Sequence, residues 1–480
     1  MSETAYVSTA IPYVNAKPHL GFALEIIQAD AIARYLRLRG YDTFFMTGAD
    51  ENSLKNVRAA EAEGVTTREL CDRNSAAFKA LLPGLNISAD FFIRTSSEMH
   101  FRGAQKLWSM CRPEDMYKKH YTGMYCVGCE EFYTEKEAPD GTCPEHLKPL
   151  ENVEEENYFF RLSNYQDTLL ELIESNKLQI LPEARRNETL AFIRGGLQDF
   201  SISRSRQRAG DWGIPVPDDP GQVMYVWYDA LANYITGLGL ADDEPALKQY
   251  WYGCNLKTHV IGKGINRFHT VYWPAMLLSA GIPTPDTVFI HGYLTIEGQK
   301  ISKSLGNVID PLVQAEQYGV DPVRYYLLRA ISPYADGDYA EDRFRDVYNA
   351  DLANNLGNLA RRIETLAEKA AFTPPPPPAE PRAPEGFHEA MAEYRFNEAL
   401  AALWNEADAL NQRIEEVRPW DLQKQGDADK LSAFLEEMIE GVRIIAHWLE
   451  PFMPDAANRM KASFNEGPVK RGEPLFPRLP

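Results

Sequence analysis

Three groups of residues in this chain carry enough chemistry to imply a reaction. The first is Lys17-Pro18-His19-Leu20-Gly21-Phe22, which follows a short apolar stretch and opens an amphipathic one. A helix beginning here offers free N–H groups and partial positive charge, a setting for phosphate. Gly21 lets a nucleotide approach the backbone, and His19 can donate a hydrogen bond. Taken alone, the pattern is also that of a turn histidine capping a helix. The second group is Gln299-Lys300-Ile301-Ser302-Lys303-Ser304-Leu305-Gly306-Asn307. Lys300 and Lys303 are interleaved with Ser302 and Ser304 beside Gly298 and Gly306. Such a loop can close on a triphosphate and offset charge developing on pyrophosphate as it leaves. Without a nucleotide it is simply an exposed polar loop. The third group is Cys126-x-x-Cys129 followed by Cys143-x-x-His146. Two short knuckles of this kind can fold into one tetrahedral site of three thiolates and one imidazole, which suits structural zinc. With no coordination position left open, the metal would stabilise rather than catalyse. Reduced, unliganded cysteines are the alternative.

These groups need rigid elements behind them. Residues 5–11 are apolar and β-branched and predict a strand; 12–18 form a turn-rich loop. From 21 to 38, Leu24, Ile27, Ala31, Tyr35 and Leu38 recur along one helical face, and Gly40 ends the run. Residues 43–47 predict a second strand, so the opening is a βαβ unit of a parallel sheet. Residues 116–160, rich in Tyr, Glu, Gly and Cys, break the rhythm and read as an inserted module. The α/β pattern resumes near Gln222, with buried strands expected at 258–261 and 287–291. From about Asp346 the pattern is helical, with Leu431, Phe434, Met438, Val442 and Ile445 at heptad-like spacing. The unbroken prolines 374–378 form a stiff polyproline II spacer between helices.

Length and composition bound the class. A chain of 480 residues with 44% hydrophobic content holds about three domains at roughly 100–200 residues each. No apolar run reaches a membrane span of about 18 residues, so no membrane association is expected. The N-terminal residues do not pattern as a secretory signal, and six cysteines are too few for a disulfide scaffold. A reducing compartment, the cytoplasm, is the expectation. Cys71, Cys111 and Cys254 are scattered and predict small buried residues. The net charge of −19 does not exclude nucleic acid, because phosphate contacts need only local cations. Arg185, Arg186, Arg194, Arg204, Arg206 and Arg208 supply such a local excess, which is also what an ordinary solvated surface looks like.

The first two groups, in this order, resemble the His-Ile-Gly-His and Lys-Met-Ser-Lys-Ser signatures of class I aminoacyl-tRNA synthetases. Ala10-Ile11-Pro12-Tyr13-Val14-Asn15, Thr47-Gly48-Ala49-Asp50-Glu51, Tyr225-Val226-Trp227-Tyr228-Asp229-Ala230 and Arg267-Phe268-His269 through Trp273-Pro274 are similar to segments of the methionyl-tRNA synthetases. The cysteine group resembles the single zinc knuckle of the bacterial members. The resemblance implies an α/β fold: a Rossmann-like catalytic sheet over 1–115 and 216–295, split by a zinc-bearing insertion at 116–215. A stem-contact region with the lysine loop at 296–345 and an α-helical anticodon-binding bundle at 346–480 would follow. It implies activation of methionine with ATP and Mg²⁺, then transfer to tRNA with a CAU anticodon. Ile11, Tyr13, Trp227, Ala230, Tyr234 and His269 match residues lining the methionine pocket, and Asp50 the carboxylate that holds the ammonium. His19, Gly21, Arg204, Lys300, Ser302, Lys303 and Ser304 match the ATP site, with His19, Lys300 and Lys303 catalytic. Asn358, Arg362 and Trp420 match anticodon readers; the tryptophan offers a stacking face worth about 1–3 kcal/mol. No appended dimerisation domain is visible, which predicts a monomer.

Several positions depart from that pattern. Phe22 stands where the second histidine is usual, Asn52-Ser53 replaces His-Gly, and Gly264 stands where aspartate is common. Phe22 cannot donate to nucleotide, and losing one such donor is worth about 2.7–4 kcal/mol. Ile301 replaces methionine as apolar for apolar. Two alternatives follow from these departures: a paralogue that activates an amino acid for an acceptor other than tRNA, and a non-catalytic tRNA-binding paralogue. The complete lysine loop and the anticodon residues argue against both.

Overall fold

The computed structural model describes residues 3–128, 130–133, 135, 137–144, 147–301, 306–378, 380–465 and 467–480. They divide into two compact units. One comprises Met1–Pro18, Gly40–Leu82 and Ala89–Ile290; the other comprises His19–Arg39, Pro83–Ser88 and His291–Pro480.

The first unit is built on a parallel sheet. Its strands lie in the order Phe91–Arg94, Asp42–Ala49, Thr4–Thr9, Leu256–Gly262, Thr287–His291, Gln179–Leu181. The central strands are nearly continuous buried apolar and β-branched runs, as a sheet covered on both faces requires. Strand order reverses between Thr4–Thr9 and Leu256–Gly262. A crevice opens at the carboxyl ends of strands at such a switch point. The expected strand 5–11 is shorter, ending at Thr9. Ala10 still donates to Val260 O at 3.0 Å, but Pro12 has no N–H to continue the ladder. Ile11 is thereby released into the loop at the strand's carboxyl end.

The inserted module is an antiparallel sheet. Met116–Cys126 pairs along its length with Glu151–Phe160, flanked by Glu131–Tyr133 and Phe200–Ser201. A separate three-stranded sheet joins Ser203–Ser205, Pro215–Val216 and Asp219–Met224.

The second unit contains the helix Leu20–Leu38, a small sheet of Leu294–Ile296, Gln299–Lys300 and Gly337–Tyr339, and the C-terminal helices. The largest are Phe396–Val417 and Ala428–Leu449; Leu431, Phe434, Met438, Val442 and Ile445 all point into the core, as their spacing demands. Ahead of them, a π-helical stretch Tyr348–Gly357 runs into Asn358–Lys369. The polyproline run lies in an irregular segment between Asn358–Lys369 and Phe387–Ala392. No helix of the described residues is long and apolar enough to cross a membrane.

A fully buried ion pair ties this unit together. Asp30 on the first helix meets Arg324 Nη2 at 2.7 Å, and both side chains are sealed from solvent. Asp30 also accepts from Arg34 Nε at 2.7 Å and from Ser88 N and Oγ at 2.6 Å each. Burial pushes its carboxyl up, but Arg324, Arg34 and the Ser88 donors outweigh burial and hold it below the usual value. Arg324 also donates to the carbonyls of Phe452 at 2.8 Å, Pro451 at 2.9 Å and Leu85 at 3.2 Å. Asp30→Ala strands a buried guanidinium, an expected loss of about 3–5 kcal/mol in urea unfolding. Adding Arg324→Met should recover only part of it, because three buried carbonyls then lose their donor.

Candidate active site

The loops at the carboxyl ends of the sheet gather most of the expected amino-acid pocket within the first unit. Tyr13 and Asp50 are joined as an isolated parallel bridge, with Asp50 N donating to Pro12 O at 2.8 Å. Tyr13 meets Trp227 edge to face at 6.2 Å between ring centres, and its hydroxyl is buried without a partner among the described residues. Trp227 and Ala230 lie on the wholly buried helix Val226–Thr236. The indole of Trp227 is covered on one face by Phe268, stacked at 3.8 Å and 9°. Ile11 is half-buried and packs against the same core.

Tyr234 and His269 form the pocket's polar corner. His269 Nδ1 lies 3.0 Å from Ile265 O, a contact that needs a proton on that nitrogen. Nε2 is then an acceptor, and the Tyr234 hydroxyl donates to it at 2.7 Å. Burial pushes the imidazole down to about 4, so it is neutral at physiological pH. Gly264, one of the departures, lies in the short turn Lys263–Ile265 that presents the orienting carbonyl.

Asp50 is 2% exposed. Its Oδ1 accepts from Asn52 N at 3.2 Å and, at the long distance of 3.5 Å, from Thr95 Oγ1; among the described residues Oδ2 accepts nothing. Burial, then the charges of Asp229 and Glu130, push its carboxyl well above the usual range. Its neighbours are better satisfied. Glu51 takes Arg94 Nε at 2.7 Å and the hydroxyls of Ser75 and Ser96. Asp229 takes His100 Nε2 at 2.6 Å and Asn52 Nδ2 at 2.8 Å. Glu130 takes Ser53 Oγ at 2.6 Å and Lys55 N at 3.2 Å. The departures Asn52 and Ser53 thus each serve a buried carboxylate, and Ser53 also caps the helix Leu54–Glu63. Arg204, expected at the triphosphate, lies 3.6 Å from Glu130 Oε2 with its guanidinium over the Tyr225 ring.

Of the cysteine group, Cys126 ends the strand Met116–Cys126, and Cys143 N donates to Lys148 O at 2.9 Å. Both are buried, and the described cysteines form no disulfide. Two buried thiols suit a soft divalent metal. Cys129 and His146 lie outside the described residues.

The nucleotide signatures fall in the second unit. His19 caps the helix Leu20–Leu38, its Nδ1 accepting from Gly21 N at 3.1 Å. The ring proton must then sit on Nε2, leaving a donor; burial lowers this imidazole to about 4 as well. A Cβ on Gly21 would stand 2.9 Å from His19 Cε1, so only glycine permits the capped geometry. Phe22 packs its ring on His19 at 4.3 Å. Lys300 is exposed on the strand Gln299–Lys300, which returns from Leu294–Ile296 through Glu297 and Gly298. Their φ values of 50° and 72° make the two-residue turn of a tight hairpin. Ser302, Lys303 and Ser304 lie outside the described residues. Asn358 is exposed at the start of Asn358–Lys369, Arg362 follows one turn later and pairs with Glu415, and Trp420 is half-buried on Pro419–Gln425.

Thr95 and Glu130 were not singled out from sequence, and Asp229 and Phe268 fell within the family-like segments without a role. Phe268 adjoins His269 and Glu130 follows Cys129, but nothing local shows that either side chain is buried in the crevice.

Comparison with known proteins agrees with this geometry. The family profile described as tRNA synthetases class I (M) matches residues 5–152 and 147–364. The methionine–tRNA ligase of Thermotoga maritima is 42% identical over 99% of this chain and 80% of its own length. That of Brucella suis is 43% identical over 95% of this chain and 91% of its own. The methionyl-tRNA synthetase of Mycobacterium tuberculosis, solved in complex with methionyl-adenylate, superposes with a TM-score of 0.91 at 40% identity, covering 99% of this chain and 100% of that one. With profile, full-length relatives and fold in agreement, this chain belongs to the class I tRNA synthetases of the methionine group.

Proposed function

We propose that this protein is a methionine–tRNA ligase, which forms methionyl-adenylate from methionine and ATP and transfers the methionyl group to tRNA. The observation that carries the reading is an under-satisfied buried carboxylate, Asp50, beside a pocket of Tyr13, Trp227, Ala230, Tyr234 and His269. An α-ammonium supplies what Asp50 lacks. A thioether side chain, polarizable and uncharged, suits the aromatic faces and the neutral Tyr234–His269 pair. Ile11 completes the apolar lining.

In the first step the methionine carboxylate attacks the α-phosphate and pyrophosphate leaves. The residues of this chain act by holding the reactants and stabilising charge, with no covalent enzyme intermediate. His19, through its Nε2 proton, and the backbone at Gly21 hold nucleotide. Lys300, Lys303, Ser302 and Ser304 hold the triphosphate, Arg204 contributes positive charge, and Mg²⁺ enters with ATP. In the second step the terminal ribose hydroxyl of tRNA attacks the adenylate carbonyl. Asn358, Arg362 and Trp420 read a CAU anticodon. Cys126, Cys129, Cys143 and His146 hold one structural zinc ion, which fixes the inserted module. The working form is a cytoplasmic monomer.

Methionine-dependent ATP–pyrophosphate exchange is the decisive assay, with leucine, valine and homocysteine as comparisons. Exchange should be strongest with methionine, and homocysteine should be disfavoured by about 1–3 kcal/mol for its missing methylene. Asp50→Asn should raise KM for methionine roughly a hundredfold, in line with the 2–5 kcal/mol of a broken buried charge contact. Absence of exchange by folded wild-type protein would overturn the ligase reading. Trp420→Ala should leave exchange unchanged while raising KM for tRNA by about 1–3 kcal/mol, the worth of one stacked base. The neutral state of His269 is testable by pH. Its folded value of about 4 lies below the ordinary value near 6.5, so the unfolded chain binds the extra proton between them. Its stabilisation is therefore complete above about 6.5 and is lost toward 4, roughly 3 kcal/mol in all. The urea midpoint should fall less steeply over that pH range in His269→Gln than in wild type.

A further inference from the structure

Glu130 sits in an unusual place. The strands on either side of it are registered, with Cys126 opposite Glu131 and Tyr125 opposite Phe132. Glu130 lies between them with φ at 54°, a left-handed backbone that strains any residue other than glycine. Its side chain is completely buried. Its Oε2 faces Arg204 Nη2 at 3.6 Å, while its hydrogen bonds lead to the amino-acid pocket. Oε1 accepts from Ser53 Oγ at 2.6 Å and from Lys55 N at 3.2 Å, the first turn of the helix Leu54–Glu63. A carboxylate there is also favoured by the helix dipole. Lys55, held by its backbone, places Nζ 4.1 Å above the Tyr13 ring. Tyr13 in turn bridges to Asp50 and meets Trp227.

We infer that Glu130 is a positioning residue for the amino-acid pocket: from the cysteine-bearing turn it holds Ser53 and Lys55, and through them Tyr13 beside Asp50 and Trp227. The module carrying Cys126 and Cys143 is thereby more than a stabilised insertion. Its turn is one wall support of the pocket, and Ser53 is the partner that receives it.

This inference rests on the ligase reading, and two readouts separate the two. The first is methionine-dependent exchange by full-length protein, with zinc content measured for each variant. Glu130→Ala should raise KM for methionine about tenfold, the scale of one lost buried hydrogen bond to a charged group. Its kcat should change by less than about threefold, since binding rather than chemistry is affected. Glu130→Gln keeps an acceptor oxygen for Ser53 and Lys55 and should restore KM to near wild type. Ser53→Ala removes the same bond without touching the turn and should shift KM in the same direction. The second readout is the near-ultraviolet circular dichroism of the aromatic residues, which should change in Glu130→Ala and recover in Glu130→Gln. A wild-type KM in Glu130→Ala, or a Gln variant as impaired as Ala, would overturn the inference. Should Glu130→Ala fail to fold, an unchanged KM in Ser53→Ala overturns it equally. A wild-type protein that exchanges no methionine would sink the ligase reading instead, and the aromatic spectra would still decide the coupling.

Discussion

Asp50, Glu51, Asp229 and Glu130 are all buried in the crevice at the carboxyl ends of the sheet, and their mutual repulsion is the constraint around which the first unit is arranged. Isolated buried carboxylates are costly, and each must be neutralised or hydrogen-bonded. Arg94 and two serines serve Glu51; His100 and Asn52 serve Asp229; Ser53 and a helix N-terminus serve Glu130. These donors come from three stretches of chain, 52–55, 75 and 94–100, so satisfying the carboxylates fixes how the loops meet. Glu130 Oε2 accepts no hydrogen bond among the described residues but faces Arg204 Nη2 at 3.6 Å, whereas Asp50 has no cationic side chain among its described partners. That missing cation defines the charge of what can complete the network.

Two departures from the family pattern, Asn52 and Ser53, make sense within this network. Asn52, in place of histidine, spans Asp229 and the carbonyl of Thr95 while its backbone serves Asp50. Ser53, in place of glycine, gains a hydroxyl that caps a helix and meets Glu130. Phe22 cannot donate a hydrogen bond but packs on His19 and helps bury it. Each substitution exchanges one local interaction for another, which is how a site can drift in sequence while keeping its charge pattern.

Much of the scaffold was legible in the sequence because periodicity is local. The strands at 43–47, 258–261 and 287–291 follow from short apolar, β-branched runs and the helix from 21 to 38 from apolar residues every three or four positions, within a residue or two. The long pairing of Met116–Cys126 with Glu151–Phe160 was not legible, since charged, aromatic strands with one exposed face give a weak pattern. The π-helical stretch Tyr348–Gly357 was missed as well, because its extra residue per turn leaves no compositional trace. In the site, Tyr13, Asp50, Trp227 and His269 could be named through family resemblance. Glu130 could not, because its importance depends on a partner 77 residues away that only the folded chain supplies.

The hairpin that carries Lys300 adds a point about what this chain can tolerate. Lys300 lies opposite Thr295 and Gln299 opposite Ile296, across a turn of only two residues. Side chains alternate faces along a strand, so one residue added to or removed from that turn would send Lys300 to the opposite side. Parity, more than the identity of Glu297, is therefore what the turn must preserve. Neutral drift there should proceed by substitution, or by length changes in pairs, whereas the irregular segment holding the prolines 374–378 is free of any such arithmetic.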